Sequence, residues 1–168
     1  MSGRARIALF LLYVLSMKQF LLLGLLLPTV CFGQIKIDKA GDGWDLKIDS
    51  ALSLIQTVDP QKYQLLDSVC QEVSFWISKF SSNELTKEGV GRIYVATGDV
   101  KLNSINNLAV VLVHESLHLY FLRKGIKLPP LVEENFCYRY ELELIEKLTN
   151  VEPWLKENTL KQIQATEK

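Results

Sequence analysis

The two histidines of the chain, His114 and His118, enclose a glutamate in the order His114-Glu115-Ser116-Leu117-His118. Residues four positions apart lie on the same face of an α-helix, one turn from each other, so both imidazole groups can reach a single ion. Imidazole nitrogen is a common zinc ligand, and in the H-E-x-x-H pattern the glutamate is placed to accept a proton from water. The spacing therefore predicts a metal centre with Glu115 as the general base.

A purely structural role for these histidines is the competing interpretation. A lone histidine in an apolar helix is usually a core residue that is satisfied by a hydrogen bond. Here, however, both histidines of the chain lie in the motif with Glu115 between them. Burying two imidazoles and a carboxylate on one apolar helix is costly without an ion or polar partners. The metal site is therefore favoured.

The third ligand must come from another residue type, because the chain has no third histidine. A carboxylate is the natural choice, and the stretch from Leu131 to Glu141 in the next predicted helix supplies three glutamates. At 100° per residue, Glu134 and Glu141 fall within the core-facing stripe, whereas Glu133 falls at its edge. We expect Glu134 to be the ligand and Glu141 to orient a ligating histidine. Glu133 is the reserve ligand, or else a solvated acid at the start of the helix. The apolar residues of the stripe are Leu131, Tyr138, Leu142, Ile145 and Leu148.

The motif, a short connector and Glu134 on a second helix together resemble the gluzincin branch of zinc metallopeptidases, over about Arg92 to Leu148. The resemblance implies an α+β, predominantly helical, zincin-like domain with a small sheet, in which a buried active-site helix precedes the ligand-bearing helix. It also implies one Zn²⁺ per chain and hydrolysis of amide bonds in a peptide or protein substrate. In this family a strand before the active-site helix binds extended substrate, which would assign Ile93 to Thr97 that role. The family has an aspartate where this chain has Tyr138.

Hydrolysis of an amide bond passes through a tetrahedral oxyanion, and the sequence does not identify the hydrogen-bond donor that would stabilise it. Tyr94, Tyr138, Arg139 and Tyr140 each carry a suitable group. Side chains of these types at such spacing are more often packing and surface residues, so none of them is singled out.

The helices that must position this site have clear boundaries. The active-site helix is predicted over Asn103–Lys124, with Asn103 or Ser104 as its N-cap and Gly125 after its end. It is apolar nearly all round and should therefore be buried. A second helix is predicted over about Leu131–Leu148, and a last one starts at Glu152-Pro153-Trp154.

The segment before the active-site helix gives weaker signals. Short strands are predicted over Gln34–Ile37 and Trp44–Ile48, joined by a turn at Gly41-Asp42-Gly43. Two helices follow between Ser50 and Phe80, the second the longer, with Asp59-Pro60 as an N-cap and first helical residue. Arg92–Ala96 is rich in residues that favour β-structure and is predicted as a strand.

Residues 1–33 have the composition of a targeting segment. They contain no acidic residue, and Lys18 precedes an apolar run that begins at Phe20 and ends before Cys31-Phe32-Gly33. This order is typical of a signal peptide cleaved after Gly33, and it predicts an exported, periplasmic or secreted protein whose single domain spans 34–168. Alternatively, the uncleaved segment is long enough to anchor the protein in a membrane. The true start is either Met1 or Met17.

Charge and cysteine content exclude some classes of function. The targeting segment holds three of the 19 basic residues and none of the 19 acidic ones, so the rest of the chain has a net charge of about −3. There is no basic run, which argues against nucleic-acid binding. Cys70 and Cys137 are either bonded to each other or two separate buried thiols.

Two other functions compete with a zinc metallopeptidase. The first is a non-catalytic zinc-binding protein of zincin fold that binds a partner; Glu115 argues against it, because a structural zinc site has no need of an adjacent base. The second is a membrane-anchored interaction module in which the motif is coincidental, and this requires residues 1–33 to remain attached.

Overall fold

The computed structural model describes residues 35–38, 43–78, 80–97 and 104–167. The predicted targeting segment 1–33, together with Gln34, Gly41, Asp42 and Asn103, lies outside these ranges. The described residues form a predominantly helical α+β fold with a small sheet, as the sequence predicts. In chain order the elements are β1 Lys36–Ile37, α1 Trp44–Val58, α2 Pro60–Val69, β2 Glu72–Trp76, β3 Ser82–Leu85, β4 Gly91–Ala96, α3 Ile105–Lys124, α4 Pro130–Ile145 and α5 Pro153–Thr166.

The four strands form one mixed sheet in the order β1-β2-β4-β3. Strand β2 pairs in parallel with both β1 and β4, whereas β3 pairs antiparallel with β4 in a hairpin closed at Gly89, whose φ is 81°. Strands β1 and β3 are therefore the edges of this sheet. The interior position of β4 contradicts the expectation that Ile93 to Thr97 offers a free edge to substrate, because β2 and β3 occupy both of its sides.

Helix α3 is the centre of the fold. Its side chains pack against α1, α2, α4 and the sheet, and Leu108, Leu112 and Leu119 are completely buried. The Ser104 hydroxyl caps its N-terminus by accepting from the Asn107 amide, and Gly125 ends it with a φ of 63°, a conformation that suits glycine. This helix is long and apolar enough to cross a membrane, but its burial in the core accounts for its composition.

The expected strand over Trp44–Ile48 is wrong, because these residues begin α1. The alternation of Trp44, Leu46 and Ile48 with charged residues imitates a strand. In the structure Leu46 is 68% exposed, and the buried face continues from Ile48 to Ile55 at helical spacing. Burial of that longer stripe against the core outweighs the exposure of one leucine.

The expected long second helix is also wrong. Helix α2 begins at Pro60 with Asp59 as its N-cap, as predicted, but it ends at Val69 and is shorter than α1. The apolar residues that follow form β2, which pairs with two neighbouring strands. Strand β3 was not predicted at all, since its sequence Ser-Asn-Glu-Leu has little β-propensity.

Candidate metal centre

The two histidines of the motif project from α3 toward Glu134 on α4. The Nε2 atoms of His114 and His118 are 3.2 Å apart, and the Glu134 carboxylate oxygens lie 3.4 Å from the first and 3.5 Å from the second. Two ligands about 2.1 Å from a zinc ion, at the tetrahedral angle, would be roughly 3.4 Å apart. One oxygen of Glu134 thus faces each histidine nitrogen, Oε2 toward His114 and Oε1 toward His118, at distances close to those between ligands of one tetrahedral zinc ion.

A carboxylate on the far side of each ring fixes its orientation. Nδ1 of His114 donates to Glu141 over 2.9 Å, and Nδ1 of His118 donates to Glu133 over 2.6 Å. An ionised carboxylate can only accept, so both rings carry a proton on Nδ1 and direct Nε2 toward Glu134. Glu141 therefore lies where the sequence placed it, and Glu133 contacts a histidine instead of pointing into solvent.

Helix α5 supports this arrangement through Thr159, a residue that the sequence analysis missed. The Thr159 hydroxyl donates over 2.6 Å to the Glu141 oxygen that His114 does not use, and Thr159 is completely buried. A signal for it exists in the sequence: Thr159 is the one polar residue between Leu155 and Ile163 on the buried stripe of α5. A buried hydroxyl in such a stripe requires a partner.

A residue of the sheet holds the side chain of the candidate base Glu115 in place. Glu115 is buried, and its carboxylate accepts a 2.6 Å hydrogen bond from the Asn83 side chain on β3. This contact joins the edge strand to the active-site helix. No sequence signal pointed to Asn83, because the strand that carries it was not predicted.

The electrostatics of the site favour a cation. Burial lowers the pKa of His114, but hydrogen bonds to Glu134 and Glu141 outweigh burial and raise it to about 10. Burial also lowers the pKa of His118, but hydrogen bonds to the carboxylates of Glu134 and Glu133 outweigh burial and raise it. The same hydrogen bonds hold the pKa of Glu134 well below its usual range. A metal ion would replace the protons that these carboxylates now stabilise on the histidines.

Cys137 also lies within reach of the two histidines. Its sulfur and one nitrogen of each ring are all within 4.8 Å of one another, so His114, His118 and Cys137 form a cluster that could hold a metal ion. Burial and the surrounding carboxylates raise the pKa of the Cys137 thiol, which disfavours the thiolate that metal binding needs. Cys70 and Cys137 are both free and buried, so the alternative of a bond between them is wrong.

A cavity of about 650 Å³ opens beside the metal site. Its wall includes both histidines, Glu115 and Glu134, and among the described residues that line it there is no lysine or arginine. Tyr138 lines it as well, with its ring centre 4.9 Å from that of His114.

The other three possible oxyanion donors are engaged elsewhere. Tyr94 donates to Glu84, Arg139 bonds Asn135 and Glu167, and the ring of Tyr140 packs under the Lys62 ammonium. Tyr138 is therefore the one of the four that borders the site.

Comparisons with known proteins add no family to these observations. A scan against models of protein families and a search of curated proteins both found no match to this chain. The function is therefore inferred from the geometry and chemistry of the site itself.

Proposed function

We propose that this protein is a zinc-dependent hydrolase of gluzincin type that cleaves amide bonds in peptides or proteins. The observation that carries the proposal is the convergence of His114 Nε2, His118 Nε2 and the Glu134 carboxylate at distances of 3.2 to 3.5 Å. Two nitrogen ligands and one carboxylate, with a cavity beside them, match the donor set of a catalytic zinc site that keeps an open position.

The residues around the ligands support catalysis over a purely structural site. A bound zinc ion would supply a Lewis acid and lower the pKa of a water molecule toward neutrality. Glu115 borders the cavity next to the ligands, where it can accept a proton from that water and return it to the leaving amine. Asn83 keeps its carboxylate in place.

The edge of the sheet supports a peptide substrate. Ser82 and Asn83 of β3 line the cavity, and the side of β3 away from β4 has no strand paired with it among the described residues. An extended peptide can add to such an edge through main-chain hydrogen bonds. Strand β3 thus takes the role that the sequence analysis gave to Ile93 to Thr97 on β4.

The test compares the purified protein with its Glu115→Gln variant. We expect about one zinc per chain by elemental analysis in both proteins, and a cleavage rate on a peptide pool that is about 10²- to 10⁴-fold lower in the variant. This variant keeps the size of the side chain and an oxygen that can accept from Asn83, so a loss of cleavage with zinc retained isolates the role of the base.

Two other outcomes would change the conclusion. Zinc without any cleavage that depends on Glu115 would favour the non-catalytic zinc-binding protein. A folded protein that binds no zinc would overturn the metal centre itself. The prediction of export depends on the signal-like segment alone, and N-terminal sequencing of the protein isolated from its host tests it, since a removed segment would leave Gln34 as the first residue.

A further inference from the structure

The cavity extends well beyond the metal ligands along α3. Asn107, Val110 and Val111 line it on the N-terminal side of His114. Asn107 lies seven positions before His114, so at 1.5 Å per residue the cavity continues for about 10 Å along the helix. This extension is too deep to be needed for the hydrolytic water alone.

Helix α5 forms the opposite wall of this extension. Trp154, Asn158 and Gln162, each four residues apart, present one stripe of α5 to the cavity. The start of α5 lies beside the start of α3, because the Asn106 side chain donates to the Asn150 carbonyl and the Glu152 carboxylate.

Further along α5, Thr159 reaches Glu141 next to His114. Trp154 therefore lies toward Asn107, and Gln162 lies toward the metal ligands. We call the part of the cavity farthest from the ligands the distal arm; its wall is formed by Asn107, Val110, Val111, Trp154, Leu155 and Asn158.

The distal arm is uncharged but not wholly apolar. Valine, leucine and tryptophan supply the walls, and asparagine carboxamides supply the polar groups. The side-chain amides of Asn158 and Gln162 make no hydrogen bond with any residue in the described part of the chain, so both remain available to a ligand. A carboxamide both donates and accepts, and it therefore complements a neutral hydrogen-bonding group. Asn158 is exposed at the mouth of the arm, and the described residues of its wall carry no charge, so a charged side chain would meet no opposite charge there.

We propose that the distal arm binds a substrate side chain next to the cleaved bond and selects uncharged side chains that end in a hydrogen-bonding group, with Asn158 as the residue that determines this specificity. The depth of the arm and the ring of Trp154 favour glutamine and tyrosine over serine and threonine, because the longer side chains fill the arm and contact the ring. The inference rests on the proposed hydrolase function.

The experiment uses the zinc-loaded protein. Peptide-pool cleavage analysed by mass spectrometry identifies the position at which substrates share a preference. Peptides that differ only there, with glutamine, tyrosine, leucine, lysine or glutamate, then give kcat/KM for each side chain. We expect glutamine and tyrosine to exceed leucine, lysine and glutamate by about tenfold or more, because leucine leaves the polar groups of the arm unpaired and the charged side chains meet no opposite charge there.

An amide-to-acid exchange makes the test specific to Asn158. The Asn158→Asp variant keeps the shape of the side chain and places a negative charge in the arm, so it should shift the preference toward lysine by about tenfold. Gln164→Glu is the matched control, because Gln164 is exposed on the same helix, does not line the cavity, and gains the same charge. The control should retain the wild-type preference.

Failure of this inference can be distinguished from failure of the proposed function. Glu115-dependent cleavage without the expected side-chain preference, or with a preference that Asn158→Asp leaves unchanged, would overturn the assignment of the arm and leave the hydrolase intact. An absence of any Glu115-dependent cleavage would overturn both.

Discussion

Each histidine of the site makes two kinds of contact with carboxylates. The Nδ1 atoms are held by Glu141 and Glu133, while the Nε2 atoms turn toward Glu134. Because both ring orientations are set by hydrogen bonds within the protein, little rearrangement is needed to bring the donor atoms around an ion. Partners of this kind commonly change metal affinity by ten- to a hundredfold when they are removed.

The identity of the third ligand can be tested by comparing two variants. Glu134→Gln removes an ionised carboxylate whose two oxygens lie 3.4 Å from His114 Nε2 and 3.5 Å from His118 Nε2, so zinc affinity should fall by at least about 100-fold. Cys137→Ser removes a buried thiol whose raised pKa disfavours the thiolate, so affinity should change by no more than a few fold. Competition with a coloured chelator measures both. The reverse order of effects would make Cys137 the ligand.

Thr159 should act on the metal through Glu141. Thr159→Val removes the hydroxyl that donates to Glu141 while keeping a β-branched side chain, which leaves the carboxylate less firmly held against His114. We expect zinc affinity to fall about tenfold. Thr159→Ser keeps the hydroxyl and should restore most of that loss, whereas a mere packing defect would not be rescued by the smaller residue. Equal zinc affinities for the valine and serine variants would contradict the role.

At the scale of elements, helices and strands could be predicted where their boundaries depend on neighbouring residues, and could not where they depend on pairing with a distant segment. The boundaries of α3 and the start of α5 were predictable because caps, prolines and Gly125 act on their own neighbours. Strand β3 was not, because its pairing partner β4 lies across a turn and its own residues favour no particular structure. The partner of Glu115 was missed for the same reason, since Asn83 is on that strand.

Asp59 illustrates a local signal with a long-range consequence. Its buried carboxylate accepts from the Lys62 backbone amide at the start of α2 and from the Lys147 ammonium just beyond α4, at 2.7 Å. Asp59→Ala should cost about 1 to 2 kcal/mol through loss of the cap, which lowers Tm by roughly 4 to 8 °C. Asp59→Asn keeps the capping oxygen and should cost less.

Thermal unfolding followed by circular dichroism measures both Asp59 variants. Their zinc affinities should equal that of the unmodified protein, since Asp59 contacts none of the proposed ligands. If the asparagine variant were as unstable as the alanine variant, the ion pair with Lys147 would be the larger contribution and the capping interpretation would fail.

At the scale of the whole molecule, the site forms where four elements meet. Strand β3 provides Asn83, α3 provides the motif, α4 provides the glutamates and α5 provides Thr159. The sequence pointed to the α3 residues through the spacing of the motif, and to Glu134 and Glu141 through the helical periodicity of α4. The contributions of β3 and α5 depend on tertiary contacts, so no spacing rule could reveal them. A change in the occupancy of the site should consequently affect the stability of the entire fold.

Zinc should stabilise the folded protein more strongly as pH rises, because the histidines must lose protons to bind it. The pKa of His114 is raised from 6.5 to about 10 in the folded protein, so its proton stabilises the zinc-free fold fully below pH 6.5, and this contribution is lost as pH rises through about 10. Zinc must displace the same proton, so zinc binding strengthens over the same interval.

We therefore expect the gap in Tm between zinc-saturated and chelator-treated protein to widen from pH 6.5 to about pH 9. At a zinc concentration about 1,000 times Kd, zinc adds about 4 kcal/mol to the free energy of unfolding. This contribution becomes smaller at low pH, because protons compete with zinc for the histidines. Differential scanning calorimetry at fixed free zinc measures the gap, and Glu134→Gln, with its weakened site, should show a small gap at every pH. A gap that stayed constant or narrowed with rising pH in the unmodified protein would show that zinc does not replace the His114 proton.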